Sequence, residues 1–394
     1  MFQGKRILLG VGGGIAVYRA VELMRLFIKQ GAEVQVVMTK SAQEFVTPLT
    51  FEALSGNKVH SDLFDLTEQH GMGHIQLVRW ADVVVVAPAT ANLITKVSRG
   101  IGEDLLTTLL LASEKPVLIA PAMNVSMWQV ESNQANMKIL RERGFYIVEP
   151  VLGALACGEQ GAGRLAEPET IVQATLPLLA AQTLAGQTWV INAGPTIEAW
   201  DAVRVLSNRA TGTLGALLAD AAAVRGAAVT LIAGKDTPPT RADVQRIDVE
   251  SAAQMLEASM DAAKGVDVFV GTAAVSDFKF ADEVQGKLKR SGNMQVELIE
   301  NIDIIQTVAG MQQRPTKVIA FAAESENHVV YAQDKLKRKG VDAIVANDVT
   351  NMGADKASGW WVTANHQETL PATSKQTFAA NIIQAVCSLG LSKQ

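Results

Sequence analysis

Residues 5–31 read KRILLGVGGGIAVYRAVELMRLFIKQG. A short apolar run opens directly into a stretch in which Gly10, Gly12, Gly13 and Gly14 crowd together. Glycines at that density end a strand rather than continue it. Apolar residues then recur at helical spacing until Gly31, a residue type suited to a helix C-terminus. The stretch reads as strand, glycine loop and helix, the opening unit of an α/β sheet.

The alternation continues outward. AEVQVVMT (32–39), ADVVVVAPAT (81–90), KPVLIAPAMN (115–124) and FYIVEP (145–150) read as strands. Helical stretches separate them, including 47–56 and SMWQVESNQANMKILRERG (126–144). The strands are continuously apolar, as expected for a parallel sheet covered on both faces. After the polar connection QTLAGQ (182–187) the pattern restarts with TWVINAGPT (188–196), then GAAVTLIAG, VDVFVGTAAVSD, KVIAFAAES and VDAIVAND. The expectation is an α/β fold of two tandem doubly wound, Rossmann-like domains with mainly parallel sheets, 1–188 and 189–394.

Of the 394 residues 48% are apolar and 19% charged, enough for sizeable cores. A net charge of −5 gives no general affinity for polyanions, so no nucleic-acid partner is expected. Cys157 and Cys387, far apart, make neither a disulfide framework nor a zinc site. The N-terminus reads as a first strand rather than a signal peptide, and no apolar run spans a membrane. A cytoplasmic protein without membrane contact is expected.

Three places carry candidate chemistry in the first domain. GVGGG offers backbone N–H groups at a helix N-terminus, suited to a mononucleotide phosphate; a tight turn without ligand fits the motif equally. APATAN and APAMN place Pro88, Ala89, Thr90, Asn92 and Asn124 at strand ends, where open α/β sheets bind ligands. His74, beside Gly73, is a candidate acid–base group, and LACGEQGAGRLAEP (155–168) puts Cys157 in a glycine-rich loop. In the second domain SNRATGTLG enters an alanine-rich helix, GTAAVSD ends a strand with Asp277, and GKLKR (286–290) is a small basic run.

The first-domain motifs, in this order, resemble the flavin-dependent cysteine decarboxylases of flavodoxin-like fold, and most closely the phosphopantothenoylcysteine decarboxylase half of bifunctional coenzyme A biosynthesis proteins. The resemblance implies FMN at Gly12, Gly13, Gly14, Ile15, Thr39, Ala87, Pro88, Ala89, Thr90 and Asn92. It implies His74 as the basic residue, Asn124 on the substrate carboxylate and Cys157 as proton donor on a flap. The chemistry is consistent. Oxidation of the neighbouring thiol creates an electron sink, carbon dioxide departs, and an acid must then protonate carbon.

AGPT, D-x-VR, SN-x-x-x-G, AAV-x-D, K-x-K, FAAE and VAND resemble the phosphopantothenate–cysteine ligase half of the same family. That resemblance implies CTP and Mg²⁺, with 4′-phosphopantothenate activated as an acyl-cytidylate and cysteine displacing CMP. It implies a nucleotide site at Gly271, Thr272, Ala273, Asp277, Lys287, Ile302, Asp303, Ile304, Ile305, Phe321, Lys335 and Lys339. Asp277 is its candidate metal ligand, and Asn208 and Lys287 are its catalytic residues. The family also implies homo-oligomers through both domains.

Several positions depart from the family pattern. Gly12 stands for the usual Ser or Thr, Arg19 for Lys, Ile197 for Arg, Thr213 for Lys and Ile302 for Pro. Two lost cations put ligase efficiency in question. A divergent paralogue with a weak or inactive ligase, or a flavin-binding regulatory protein, are the alternative readings.

Overall fold

The computed structural model describes residues 2–63, 73–154, 160–282, 284–289, 292–293, 295–324, 328–348 and 354–390. The chain divides into two compact units, 1–181 and 182–394.

In the first unit β1 (Arg6–Val11), β2 (Glu33–Met38), β3 (Val59–His60), β4 (Val83–Ala89), β5 (Val117–Pro121) and β6 (Tyr146–Ile147) form one sheet. Its order is β3-β2-β1-β4-β5-β6, and every pairing is parallel. Helices α1 (Val17–Lys29), α2 (Lys40–Gln43), α3 (Pro48–Ser55), α4 (His74–Trp80), α5 (Ala91–Arg99), α6 (Leu105–Ala112), α7 (Val125–Gln129), α8 (Glu131–Glu142) and α9 (Pro168–Leu179) complete the unit. Along β4 the valines alternate between two cores. Val83 and Val85 pack with Ile7 and Leu9, whereas Val84 and Val86 pack with Leu8 and Leu106. A strand buried on both faces has no polar side to show, which is why the run VVVV carries no alternation.

The stretch 126–144, expected as a single helix, is two. Val130 adopts an extended conformation (ψ 136°) between α7 and α8, and the Gln134 side chain donates to the Trp128 carbonyl at the break. An antiparallel pair, β7 (Val151–Ala154) and β8 (Gln160–Arg164), follows the sheet.

The second unit repeats the winding. β9 (Thr188–Ala193) opens it, and a small antiparallel hairpin of β10 (Ile197–Ala199) and β11 (Val205–Ser207) follows. β12 (Ala228–Ala233), β13 (Gln245–Asp248) and β14 (Val268–Gly271) come next, then a second small antiparallel pair, β15 (Phe278–Phe280) and β16 (Leu298–Glu300). β17 (Lys317–Glu324), β18 (Ala343–Asp348), β19 (Lys356–Thr363) and β20 (Gln367–Ser374) finish the series. The main sheet has the order β13-β12-β9-β14-β17-β18-β19-β20, parallel up to β18 and antiparallel beyond it. The helices are α10 (Thr213–Val224), α11 (Ala252–Ala262), α12 (Ile304–Ala309), α13 (His328–Lys339) and α14 (Lys375–Ser388). Trp189, Ile191 and Val270 fill one core, and Val190, Phe269 and Ile232 the other. Among the described residues no helix is long and apolar enough to cross a membrane.

Candidate functional site

In both units the first strand sits inside the main sheet, between β2 and β4 in one and between β12 and β14 in the other. Chain connections leave such a strand and its neighbour in opposite directions, opening a crevice at their carboxyl ends. These switch points fall between β1 and β4, and between β9 and β14. A large cavity lies at each.

The first cavity, about 960 Å³, is lined by the loops after β1, β2, β4 and β5 and by Gly163–Leu165. Gly12, Gly13, Gly14, Ile15, Thr39, Pro88, Thr90, Asn92 and Asn124 all line it. Ala87 and Ala89 do not; both are buried in the apolar cores. Three of the polar lining side chains hold helix starts. Thr39 accepts the Ala42 amide at 3.2 Å, Thr90 the Leu93 amide at 3.3 Å, and Asn124 Oδ1 the amides of Ser126 and Met127 at 2.7 and 3.3 Å. Caps of this kind fix the loops on which they sit.

The donor set suits a phosphate. The amide of Gly12 donates to the Pro88 carbonyl at 3.0 Å, whereas those of Gly13, Gly14, Ile15 and Ala16 donate to no described protein atom. Helix α1 starts there without a side-chain cap. Four open N–H groups at the positive end of a helix dipole are a ready acceptor for an anion. Gly12 itself is required by the chain's own packing, since a Cβ there would stand 2.6 Å from the Pro88 carbonyl oxygen.

Arg19, at the rim, donates to both oxygens of Glu167 at 2.5 and 3.3 Å. Arg164, which ends β8, donates to the same carboxylate at 2.9 Å. Hydrogen bonding to Arg19 holds the Glu167 carboxyl below the usual range and raises the guanidinium in turn. His74 is the first residue of α4, but its side chain lies outside the described residues. Residues 155–159, with Cys157, also lie outside them. The strands on either side pair with each other, Ala154 opposite Gln160.

The second cavity, about 880 Å³, is lined by Gly271, Thr272, Ala273, Asp277, Ile302, Asp303, Ile304, Ile305, Phe321, Lys335 and Lys339, and by Asn208. Lys287 is exposed and does not line it. Asn208 Nδ2 donates to the carbonyls of Ala274 and Val275 at 3.0 and 3.1 Å. Both partners only accept, so the amide nitrogen must face them and Oδ1 is left as the acceptor. Lys339 pairs with Asp303 at 2.9 Å. Burial pushes the Asp303 carboxyl up, but Lys339 and the amides of Gln306 and Ile305 outweigh it and hold it low.

The sequence reading missed Asn192, which is 1% exposed at the end of β9. Its Oδ1 accepts the Ala273 amide at 3.1 Å and its carbonyl accepts the Thr272 hydroxyl at 2.7 Å, shaping the loop after β14. A polar residue closing the apolar run WVIN was the signal. Asn347 and Lys375 also line the cavity without having been singled out. Of the two missing cations, Thr213 lines this cavity and Ile197 does not. Among the described residues no group of three or more His, Cys, Asp or Glu could hold a metal on its own.

Residues 1–179 match the Flavoprotein family, and residues 184–389 match the DNA/pantothenate metabolism flavoprotein C-terminal domain. The chain is 42% identical to the coenzyme A biosynthesis bifunctional protein CoaBC of Vibrio cholerae over 97% of its own length and 98% of that protein's. It is 42% identical to the Bacillus subtilis protein of the same name, over 99% of its own length and 98% of the relative's. A crystal structure of the C-terminal domain of a CoaBC protein aligns at 31% identity over 53% of this chain and 98% of that one, with a TM-score of 0.47. A structure described as FMN-dependent cysteine decarboxylase SpaF aligns at 33% identity over 44% of this chain and 99% of that one, with a TM-score of 0.39. With two flavoprotein-family matches in tandem and full-length relatives, the chain belongs to the family of coenzyme A biosynthesis bifunctional proteins.

Proposed function

We propose that the second unit ligates cysteine to 4′-phosphopantothenate at the expense of CTP, and that the first decarboxylates the product to 4′-phosphopantetheine with bound FMN. The observation that carries this reading is the pair of switch-point cavities, each lined by several polar residues of one motif set, Thr39, Thr90, Asn92 and Asn124 in the first and Asn208, Asp277, Lys335 and Lys339 in the second.

In the first cavity the open amides of Gly13, Gly14 and Ile15 would hold the FMN phosphate, with Thr90 and Asn92 near the ring. Bound flavin supplies the reversible oxidation that lets the carbon beside the carboxylate part with carbon dioxide. The chain's own residues bind and protonate. With Oδ1 of Asn124 held by two amides, its Nδ2 is the group suited to donate to a carboxylate. His74 is the basic residue. Cys157 is the proton donor to carbon, a role within reach of a thiol with an ordinary pKa of about 8.5.

In the second cavity the carboxylate of 4′-phosphopantothenate attacks the α-phosphorus of CTP, releasing pyrophosphate. The cysteine amine then attacks the acyl carbon and CMP leaves. Asn208 lies against the acyl-cytidylate, Lys287 opposes developing phosphate charge, and Lys335 and Lys339 face the nucleotide. Asp277, in the cavity lining, would help hold a divalent cation such as Mg²⁺, whose charge would offset that of the triphosphate. Homo-oligomers through both units and a cytoplasmic location belong to the same reading. A slower ligase than is usual for the family is favoured by Thr213, which lines the cavity where the family carries a cation.

The test measures two half-reactions on one purified chain: CTP-dependent CMP release with 4′-phosphopantothenate and cysteine, and carbon dioxide release from 4′-phosphopantothenoylcysteine. Both should proceed. Loss of the second alone in Cys157→Ser supports the assigned donor, and unchanged turnover in that variant removes it.

A further inference from the structure

Asp201, at the tip of the β10–β11 hairpin, is 3% exposed. Its Oδ1 accepts the amides of Val203 and Arg204 at 2.8 and 2.7 Å, which closes its own turn. Its Oδ2 accepts an amide from elsewhere, that of Leu288 at 3.1 Å. Arg204 pairs with the same oxygen at 3.3 Å and donates to the Leu288 carbonyl, also at 3.3 Å. The Arg204 guanidinium lies 5.1 Å from the Trp200 ring, which stacks on Phe280. Two further bonds join the same segments: the Val284 amide to the Trp200 carbonyl at 3.0 Å, and the Ala202 amide to the Gly286 carbonyl at 3.3 Å. Lys287 therefore lies between two anchored neighbours, Gly286 and Leu288. At the foot of the same hairpin, directly after β11, stands Asn208.

A turn-forming aspartate needs only its local amides. The bond to Leu288, 87 positions away, serves no turn. Burial pushes the carboxyl up, but the three amides and the Arg204 charge win and hold it below the usual range. A buried carboxylate kept ionised in this way is costly to disturb.

We infer that Asp201 is a positioning residue of the ligase: through Leu288 it fixes the Lys287 segment to the hairpin that carries Asn208, so that both groups act on one substrate. The inference rests on the ligase reading and adds to it a residue outside the cavity lining.

Asp201→Asn keeps one acceptor, and with that oxygen on the turn amides it sets an N–H group against the Leu288 amide. Leu288→Pro removes the donor and leaves Asp201 intact. Both variants, in the full chain, should lower ligase kcat about tenfold or more, with KM for CTP nearly unchanged. Hydrogen exchange at the Leu288 amide should quicken in Asp201→Asn, and Asp201→Asn should slow Lys287→Gln no further when the two are combined. Unchanged exchange, an unchanged kcat or additive losses in the double variant overturn the inference while an active wild type leaves the ligase reading standing. A wild type without CTP-dependent ligation overturns both.

Discussion

Arg19 in helix α1 grips Glu167 at the start of α9 through both carboxylate oxygens, at 2.5 and 3.3 Å and 148 positions apart in the chain. Because Arg164 shares that carboxylate, the end of β8 is tied to the helix that follows the glycine loop. A planar guanidinium makes the double contact and an ammonium does not. Arg in place of the family's Lys is therefore more than a change of size.

Glu167→Gln tests the tie through its pH dependence. The folded-state carboxyl lies below its ordinary value, so the contribution to stability is present above the ordinary carboxylate range and is lost as pH falls through the folded value. The exposed position limits it to about 1 kcal/mol or less. Thermal unfolding should favour the wild type near neutral pH, and the gap should close as pH falls through the lowered folded value of Glu167.

Restoring the family's hydroxyl at position 12 should harm the protein. A Cβ there meets the Pro88 carbonyl oxygen at 2.6 Å, so backbone must move. Gly12→Ser should cost about 1–3 kcal/mol and lower the ratio of flavin to protein absorbance. A rise in that ratio would mean that the missing hydroxyl, not the packing, governs flavin retention.

Asn208→Asp should abolish more than charge neutrality. It turns a carboxylate oxygen onto the Ala274 and Val275 carbonyls in place of an N–H donor. Ligation should slow at least tenfold, consistent with roughly 1–3 kcal/mol for an unmatched polar group. Carbon dioxide release from 4′-phosphopantothenoylcysteine, carried out by the other unit, should hold steady.

Lys339→Met leaves the Asp303 carboxyl without its cation. Burial then raises its pKa. KM for CTP should increase several-fold near neutral pH, about 1 kcal/mol of binding. The part of that advantage owed to the Asp303 charge is present above the ordinary carboxylate range and disappears as pH falls through the lower folded value of Asp303.

Much of the fold was legible. The runs LLGVGGG and VVVVAPAT mark strands buried on both faces, and that pattern alone implies helices above and below a parallel sheet. The antiparallel strands β19 and β20 at the end of the sheet were not marked. In KASGWWVT burial alternates from Lys356 to Trp361, but the inward positions Ala357 and Gly359 are small and the outward Trp360 is apolar, so the residue types do not show the alternation. Pairs such as Arg19–Glu167 and Asp201–Leu288 join residues far apart in the chain, and one-dimensional patterns hold no trace of them. Asn192 is different: a lone polar residue after WVI was readable as a shaping group, had the strand end been weighed for it.

The most direct measurement supplies the purified, flavin-loaded chain with 4′-phosphopantothenate, cysteine and CTP and follows nucleotide and thiol products together. The account predicts that CMP and 4′-phosphopantetheine both accumulate. Absence of both, with flavin bound, would contradict it.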